Sequence, residues 1–197
     1  MQIVLSTRNQ SKAQQIKAMF EGSHITVVTL EEVGIKGEVF EDGTTLTQNA
    51  LRKALFVHQA KPTMWTMADD TGIFINALHG EPGVNTARWS GGNTDTEQTT
   101  HWILKQLEDV TDRTAVFKTV VAVVSPEGKQ YFFAGEVYGK ILETPRKEPQ
   151  PNMPYSSIFI PVGADKTWAE MTTDQENKVS HRGKAFRKVR DFLEMFH

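Results

Sequence analysis

Hydrophobic and polar positions follow two rhythms along this chain, and their order suggests an architecture before any single residue does. Ile3, Val4 and Leu5 form an unbroken apolar run, which predicts a strand buried on both faces. The polar stretch Ser6-Thr7-Arg8-Asn9-Gln10 follows. Ile16, Met19 and Phe20 then recur at helical spacing, with Gly22 as a C-terminal stop. A second strand is expected over residues 24–29. A strand-helix-strand opening of this kind predicts an α/β fold.

The pattern continues in the same alternation. An acidic loop with Glu38, Glu41 and Asp42 precedes a helix that Thr44 or Thr45 can cap, with Leu46, Ala50, Ala54 and Val57 as its buried stripe. Residues 64–68 read as a strand leading into Asp69-Asp70-Thr71-Gly72, and residues 73–77 as extended chain, before a turn at Gly80-Glu81-Pro82-Gly83. Thr94 and Glu97 have capping-box spacing ahead of a helix carrying Trp102, Ile103, Leu104 and Leu107. Residues 114–125 and 130–137 read as a long hairpin turned at Pro126-Glu127-Gly128. Pro145, Pro149, Pro151 and Pro154 mark a loop, followed by a short strand at 158–160. The final helix would bury Ala185, Val189, Phe192, Leu193 and Phe196. With no internal repeat and no low-complexity linker, one mixed α/β domain over residues 1–197 is expected.

Composition narrows the class. Hydrophobic residues make up 39% and charged residues 23%, an ordinary globular balance that excludes disorder. A net charge of −2 gives no overall basic footprint for nucleic acid. Apolar runs fall well short of the ~20 residues of a membrane span. There are 0 cysteines, so disulfides and thiolate metal sites are excluded. The first residues run straight into a strand without a basic leader, and a cytoplasmic enzyme is expected.

Four segments carry residues suited to chemistry. Thr7, Asn9 and Lys12 stand between the first strand and its helix, where free helix amides and the helix dipole attract anions; the plain alternative is a polar turn with a capping Asn9 or Ser11. Asp69 and Asp70 are adjacent carboxylates at an apolar strand, difficult to bury unless a cation neutralises them, and their hard oxygens suit Mg²⁺; the alternative is an Asp-rich turn. Asn49 and Lys53 share a helix face that Glu41 precedes, so a carboxylate and a phosphate-binding ammonium could meet there, unless this is merely solvated helix charge. Ser180, His181 and Arg182 precede the last helix, where Arg can pair with a carbonyl or phosphate and Ser or His with a base edge. Adjacent Ser and His rarely have relay geometry, and a cap with a surface His is the plain alternative.

Taken in order, these segments resemble the inosine triphosphate pyrophosphatase family. The resemblance rests on Ser6-Thr7-Arg8-Asn9-x-x-Lys12, Glu41-x-Gly43-x-Thr45, Gln48-Asn49-Ala50-x-x-Lys53, Ala68-Asp69-Asp70-Thr71-Gly72, Pro82-Gly83-x-x-x-Ala87-Arg88 and Ser180-His181-Arg182-Gly183, which span nearly the whole chain. It implies an elongated mixed sheet flanked by helices, with two lobes around a nucleotide cleft, and a homodimer. It further implies Mg²⁺-dependent hydrolysis of unusual purine triphosphates (ITP, dITP, XTP) to monophosphate and pyrophosphate, with no nucleic-acid or membrane partner. By the same resemblance, Thr7, Asn9, Lys12 and Lys53 would hold the triphosphate and Glu41, Asp70 and Asp69 the metal. Asp70 would act on the attacking water, assisted by Lys53. Thr71, Tyr155, Ser180, His181 and Arg182 would contact the base.

The chain departs from the family pattern at its base-reading half. Met153 and Ser156 stand where the pattern Phe-Gly-Tyr-Asp-Pro has Phe and Asp, and Glu176 stands where Lys is usual. The phosphate half is intact, so the departures bear on base selectivity, which is expected to be loosened, rather than on reaction type. A related pyrophosphatase with another base preference, or a weakly active nucleotide binder, are the competing readings.

Overall fold

The computed structural model describes residues 1–37, 39, 41–89 and 95–196; Glu38 and Thr94 lie outside the described residues. Strand β1 (Gln2–Leu5) is buried except at its first residue, as its unbroken apolar run requires. Helix α1 (Gln10–Met19) carries the chain over to β2 (Thr26–Thr29), which pairs parallel with β1. Helix α2 (Leu46–Ala60) then returns it to β3 (Trp65–Ile75), parallel to β1 on the other side. Parallel neighbours need crossovers of this length. The rest of the sheet is antiparallel. A two-residue β4 (Pro82–Gly83) and the long β5 (Thr114–Val124) both pair with β3, and β6 (Gln130–Ile141) pairs with β5 and with β7 (Phe159–Pro161). The resulting order β2-β1-β3-β5-β6-β7 is a mixed sheet, so the expected α/β class is borne out. Helices α3 (Thr96–Gln106), α4 (Thr173–Val179) and α5 (His181–Leu193) complete the fold.

Strand alternation divides the core. Val121 and Val123 of β5 face one layer with Ile3, Leu5, Ile16, Phe186 and Val189, under α1 and α5. Ala122 and Val124 face the other layer, where Ala50 and Ala54 of α2 let the helix sit close to Ala68. The stripe Leu46, Ala50, Ala54 and Val57 is buried as expected, and Thr45 caps α2 by accepting from Gln48 N at 3.2 Å. A third cluster, with Ile73, Phe117, Val137, Phe159 and Trp168, fills the far half of the sheet.

Several boundaries differ from the sequence reading. Strand β3 runs straight through Asp69-Asp70-Thr71-Gly72, because its pairing with β5 continues unbroken from Thr66 to Ile75. Beyond Ile75 the chain is not extended: Asn76–Leu78 form a 3-10 turn closed by His79 at φ 52°. Asp95, accepting from Gln98 N at 2.9 Å, caps α3. Helix α5 stops at Leu193, and a 3-10 turn over Glu194–Phe196 leaves Phe196 52% exposed rather than in the apolar stripe, with its ring against Trp65.

Helix α5 presses directly on the backbone of β6. A Cβ on Gly135 would lie 2.2 Å from the His181 carbonyl oxygen and 2.7 Å from the Ala185 nitrogen, both backbone atoms that cannot step aside. Gly135→Ala is therefore expected to lower the free energy of unfolding by about 1–3 kcal/mol through overpacking. Denaturant titration checks this, and an unchanged midpoint would show that α5 yields at this contact.

Candidate active site

The site starts from β3. Adjacent strand residues point to opposite faces, so Asp69 and Asp70 reach separate clusters of cations. Asp69 is 1% exposed and meets α1 and α5: its Oδ2 lies 3.0 Å from Lys12 Nζ and 3.9 Å from Arg182 Nε, and accepts from Thr71 Oγ1 at 3.3 Å. Burial would raise this carboxyl, but the charges of Lys12, Arg182 and Lys53 outweigh it and hold Asp69 well below the usual carboxylate range. Asp70 meets α2. Its Oδ1 lies 3.0 Å from Lys53 Nζ and its Oδ2 accepts from Asn49 Nδ2 at 3.1 Å. Here burial dominates, and the Asp70 carboxyl is pushed up despite Lys53.

Glu41 approaches the same ammonium, 3.3 Å from Lys53, with Arg88 at 3.9 Å. Burial acts against the Lys53 charge, but Asp70, Asp69 and Glu41 together raise it. Asn49 orders the loop that brings Glu41 in, since its Oδ1 accepts from Gly43 N at 2.8 Å, and a Cβ on Gly43 would lie 2.5 Å from that oxygen. The hard oxygens of Glu41 and Asp70, both within reach of one Lys53 amine, fit a Mg²⁺ ion that takes one or two carboxylates and completes its shell with water and phosphate. No cluster of three His, Cys, Asp or Glu occurs among the described residues.

At the start of α1, Asn9 Oδ1 accepts from Lys12 N at 3.0 Å and Thr7 Oγ1 from Asn9 N at 3.3 Å, so the predicted cap forms. Burial holds Lys12 below the ordinary ammonium range even with Asp69 beside it. From this end a cavity of about 560 Å³ opens, a volume typical of small-molecule sites. Asn9, Lys12, Thr71 and Arg182 line its charged end. Phe117, Met153, Tyr155, Trp168 and His181 wall the aromatic end, together with Glu176. His181 stacks on Phe117 at 4.7 Å between centroids, and Trp168 leans on both.

The structure thus gathers Asn9, Lys12, Asp69, Asp70, Thr71, Lys53, Glu41, His181 and Arg182 around one sheet region. Lys53, Asp70 and Glu41 flank the cavity without lining it. Ser180 is 0% exposed and caps α5, its Oγ accepting from Gly183 N at 3.0 Å, and Thr7 lies outside the cavity wall. Tyr155 is 5% exposed, and burial raises its phenol. Ser156 is turned to its own loop, donating to the Met153 carbonyl at 2.7 Å and accepting from Gln150 N at 2.7 Å. Sequence reasoning missed Gln15, whose Oε1 accepts from Arg182 Nη1 at 2.5 Å, as well as Phe117 and Trp168. A buried amide three positions after Lys12 on the α1 face was the available signal for Gln15, whereas the two aromatics look like ordinary core.

The sequence matches the model of the Ham1 family over residues 3–192. It is 36% identical to a dITP/XTP pyrophosphatase of Caldanaerobacter subterraneus subsp. tengcongensis over 195 residues, covering 98% of this chain and 96% of that protein. It is 38% identical over 193 residues to a protein of the same name from Geobacter sulfurreducens, covering 97% and 96%. The fold superposes on the Staphylococcus aureus Ham1 protein with a TM-score of 0.85, 31% identity and full coverage of both chains. It also resembles the nucleoside-triphosphatase / dITP/XTP pyrophosphatase of Mycobacterium abscessus, with a TM-score of 0.72, 35% identity and coverage of 96% and 98%. The resemblance read from the motifs is borne out.

His181 gives the site a signature in pH. It is 2% exposed, and burial holds it well below the usual imidazole range; Arg182, Lys12 and Lys184 act in the same direction, and Asp69 opposes them. A His whose folded value is depressed stays neutral while the unfolded chain takes up a proton, so its contribution is full above the unfolded value near pH ~6.5 and is lost as pH falls below it. The slope from this one proton is at most about 1.4 kcal/mol per pH unit. His181→Gln should flatten the fall in stability between pH ~6.5 and pH ~5 relative to wild type. Parallel stability curves for the two proteins across that window would show that His181 does not resist protonation.

Proposed function

The chain belongs to the Ham1 family, and we propose that it hydrolyses the triphosphates of unusual purines such as ITP, dITP and XTP to monophosphate and pyrophosphate. The observation that carries the reading is one continuous site with a cationic end suited to phosphates and an aromatic end suited to a base. Lys12 and the α1 amides around Asn9 hold phosphate oxygens, with Thr7 ordering that turn. Lys53 neutralises charge that develops on the phosphates as the bond breaks.

Glu41 and Asp70 would hold Mg²⁺, which would supply further charge neutralisation and alignment of the phosphates, while Asp69, the third carboxylate, stays on the other face of the strand against Lys12 and Arg182. Asp70, fixed by Asn49 and Lys53, orients the attacking water and takes its proton as the water oxygen bonds to the α-phosphorus. The bond from that phosphorus to the bridging oxygen breaks, and pyrophosphate leaves with the electron pair. Tyr155 and His181 hold the nucleoside at the aromatic end, with Thr71 and Arg182 reaching it from the charged end and Ser180 setting the start of the helix that presents His181 and Arg182. The same reading takes the protein to act as a single domain, as a homodimer and in the cytoplasm, with a nucleotide as its small-molecule partner.

Asp70→Asn keeps the shape and the Asn49 contact while removing the acceptor that takes the proton. Turnover of ITP in the presence of Mg²⁺ should fall by about 10² to 10⁴-fold in a variant that still folds. Near-normal turnover in the folded variant would remove Asp70 from this role. Wild-type turnover should likewise stop when a chelator is added and return with excess Mg²⁺.

A further inference from the structure

The aromatic end of the cavity holds a carboxylate with too few partners. Glu176, on α4, is 4% exposed and forms part of the cavity wall. Its Oε2 accepts from Gln150 Nε2 at 3.2 Å, and the same amide donates to the Trp168 carbonyl at 3.3 Å. None of the ion pairs formed among the described residues involves Glu176, although Lys178 on the same helix pairs with Asp174. An ionised carboxylate can only accept, and one neutral donor does not offset its removal from water. Glu176 lines the same cavity as Trp168, His181 and Tyr155, and the first two rings pack on each other at 4.9 Å between centroids to form one aromatic wall. A planar heterocycle that packs against that aromatic wall and offers an N–H at its edge would complete the carboxylate's hydrogen bonding.

We propose that Glu176 determines the base this site takes, by accepting a hydrogen bond from the ring N–H of a 6-oxopurine, and from a neighbouring amino group where one is present. Gln150 is the positioning residue that aims it. This inference rests on the hydrolase reading above. Hypoxanthine offers N1–H with no acceptor at C2. Xanthine instead places a carbonyl oxygen at C2 and readily loses a ring proton, which sets an acceptor and a negative charge against the carboxylate. The chain therefore ranks ITP above XTP, and tolerates a 2-amino group.

The test compares kcat/KM for ITP, XTP and purine riboside triphosphate, which lacks N1–H, in wild type and in Glu176→Gln. Wild type should prefer ITP to each of the others by about tenfold or more, in line with the discrimination that a paired base edge gives. In Glu176→Gln, whose amide also presents a donor, the ITP:XTP ratio should fall by about tenfold. A purely structural role would change all substrates alike and leave that ratio fixed. Equal kcat/KM for ITP and XTP in wild type, or an unchanged ratio in a folded Glu176→Gln, overturns the assignment. Should the variant not fold, equal wild-type turnover of ITP and purine riboside triphosphate overturns it by itself. Absence of pyrophosphate release from any of the triphosphates would instead remove the hydrolase reading, and this inference with it.

Discussion

Burying two neighbouring carboxylates in the middle of a sheet forces the surroundings to supply positive charge on both faces. Asp69 and Asp70 are 1% and 7% exposed, within a strand whose pairing with β5 does not break. An isolated buried charge is strongly unfavourable, so each must be paired or ligated. Lys12 and Arg182 answer Asp69 from one layer, and Lys53 and Asn49 answer Asp70 from the other. Segments from near both ends of the chain are thereby held at a single point of the sheet. The same groups that make the carboxylates tolerable are those suited to a triphosphate, so stability and function draw on one set of charges.

Close backbone approaches keep that arrangement in place. A Cβ on Gly183 would lie 1.8 Å from the Asn177 carbonyl oxygen, so α4 and α5 meet without room for a side chain. That contact sets Glu176 and His181, on consecutive helices, against the same cavity. Ser180 closes α4 and opens α5 as shared cap. Asn49 serves both the Gly43 loop and Asp70, which couples the position of Glu41 to the β3 carboxylate.

Local pattern made much of the fold legible. The apolar run at Ile3–Leu5, the stripe on α2 and the β5–β6 hairpin depend on burial periodicity alone, and each forms where periodicity places it. The run through Asp69 and Asp70 was readable only as a strand end, because pairing with distant cations overrides the turn preference of Asp. Phe196 followed the helical rhythm but falls beyond the point where the helix tightens. At the site, the residue types for the phosphate end were evident in the motifs, while Ser180 reads equally well as ligand or cap until its Oγ is seen to meet Gly183 N. Trp168 and Phe117 could not be separated from core residues, since an aromatic cavity wall and an aromatic core use the same side chains.

Everything proposed for the reaction depends on water being delivered to the phosphorus nearest the nucleoside. Hydrolysis of ITP in ¹⁸O-labelled water, with products separated and weighed by mass spectrometry, tests this most directly. The account predicts one labelled oxygen in the inosine monophosphate and unlabelled pyrophosphate. Label in the pyrophosphate, or labelled orthophosphate formed alongside a diphosphate, would contradict it.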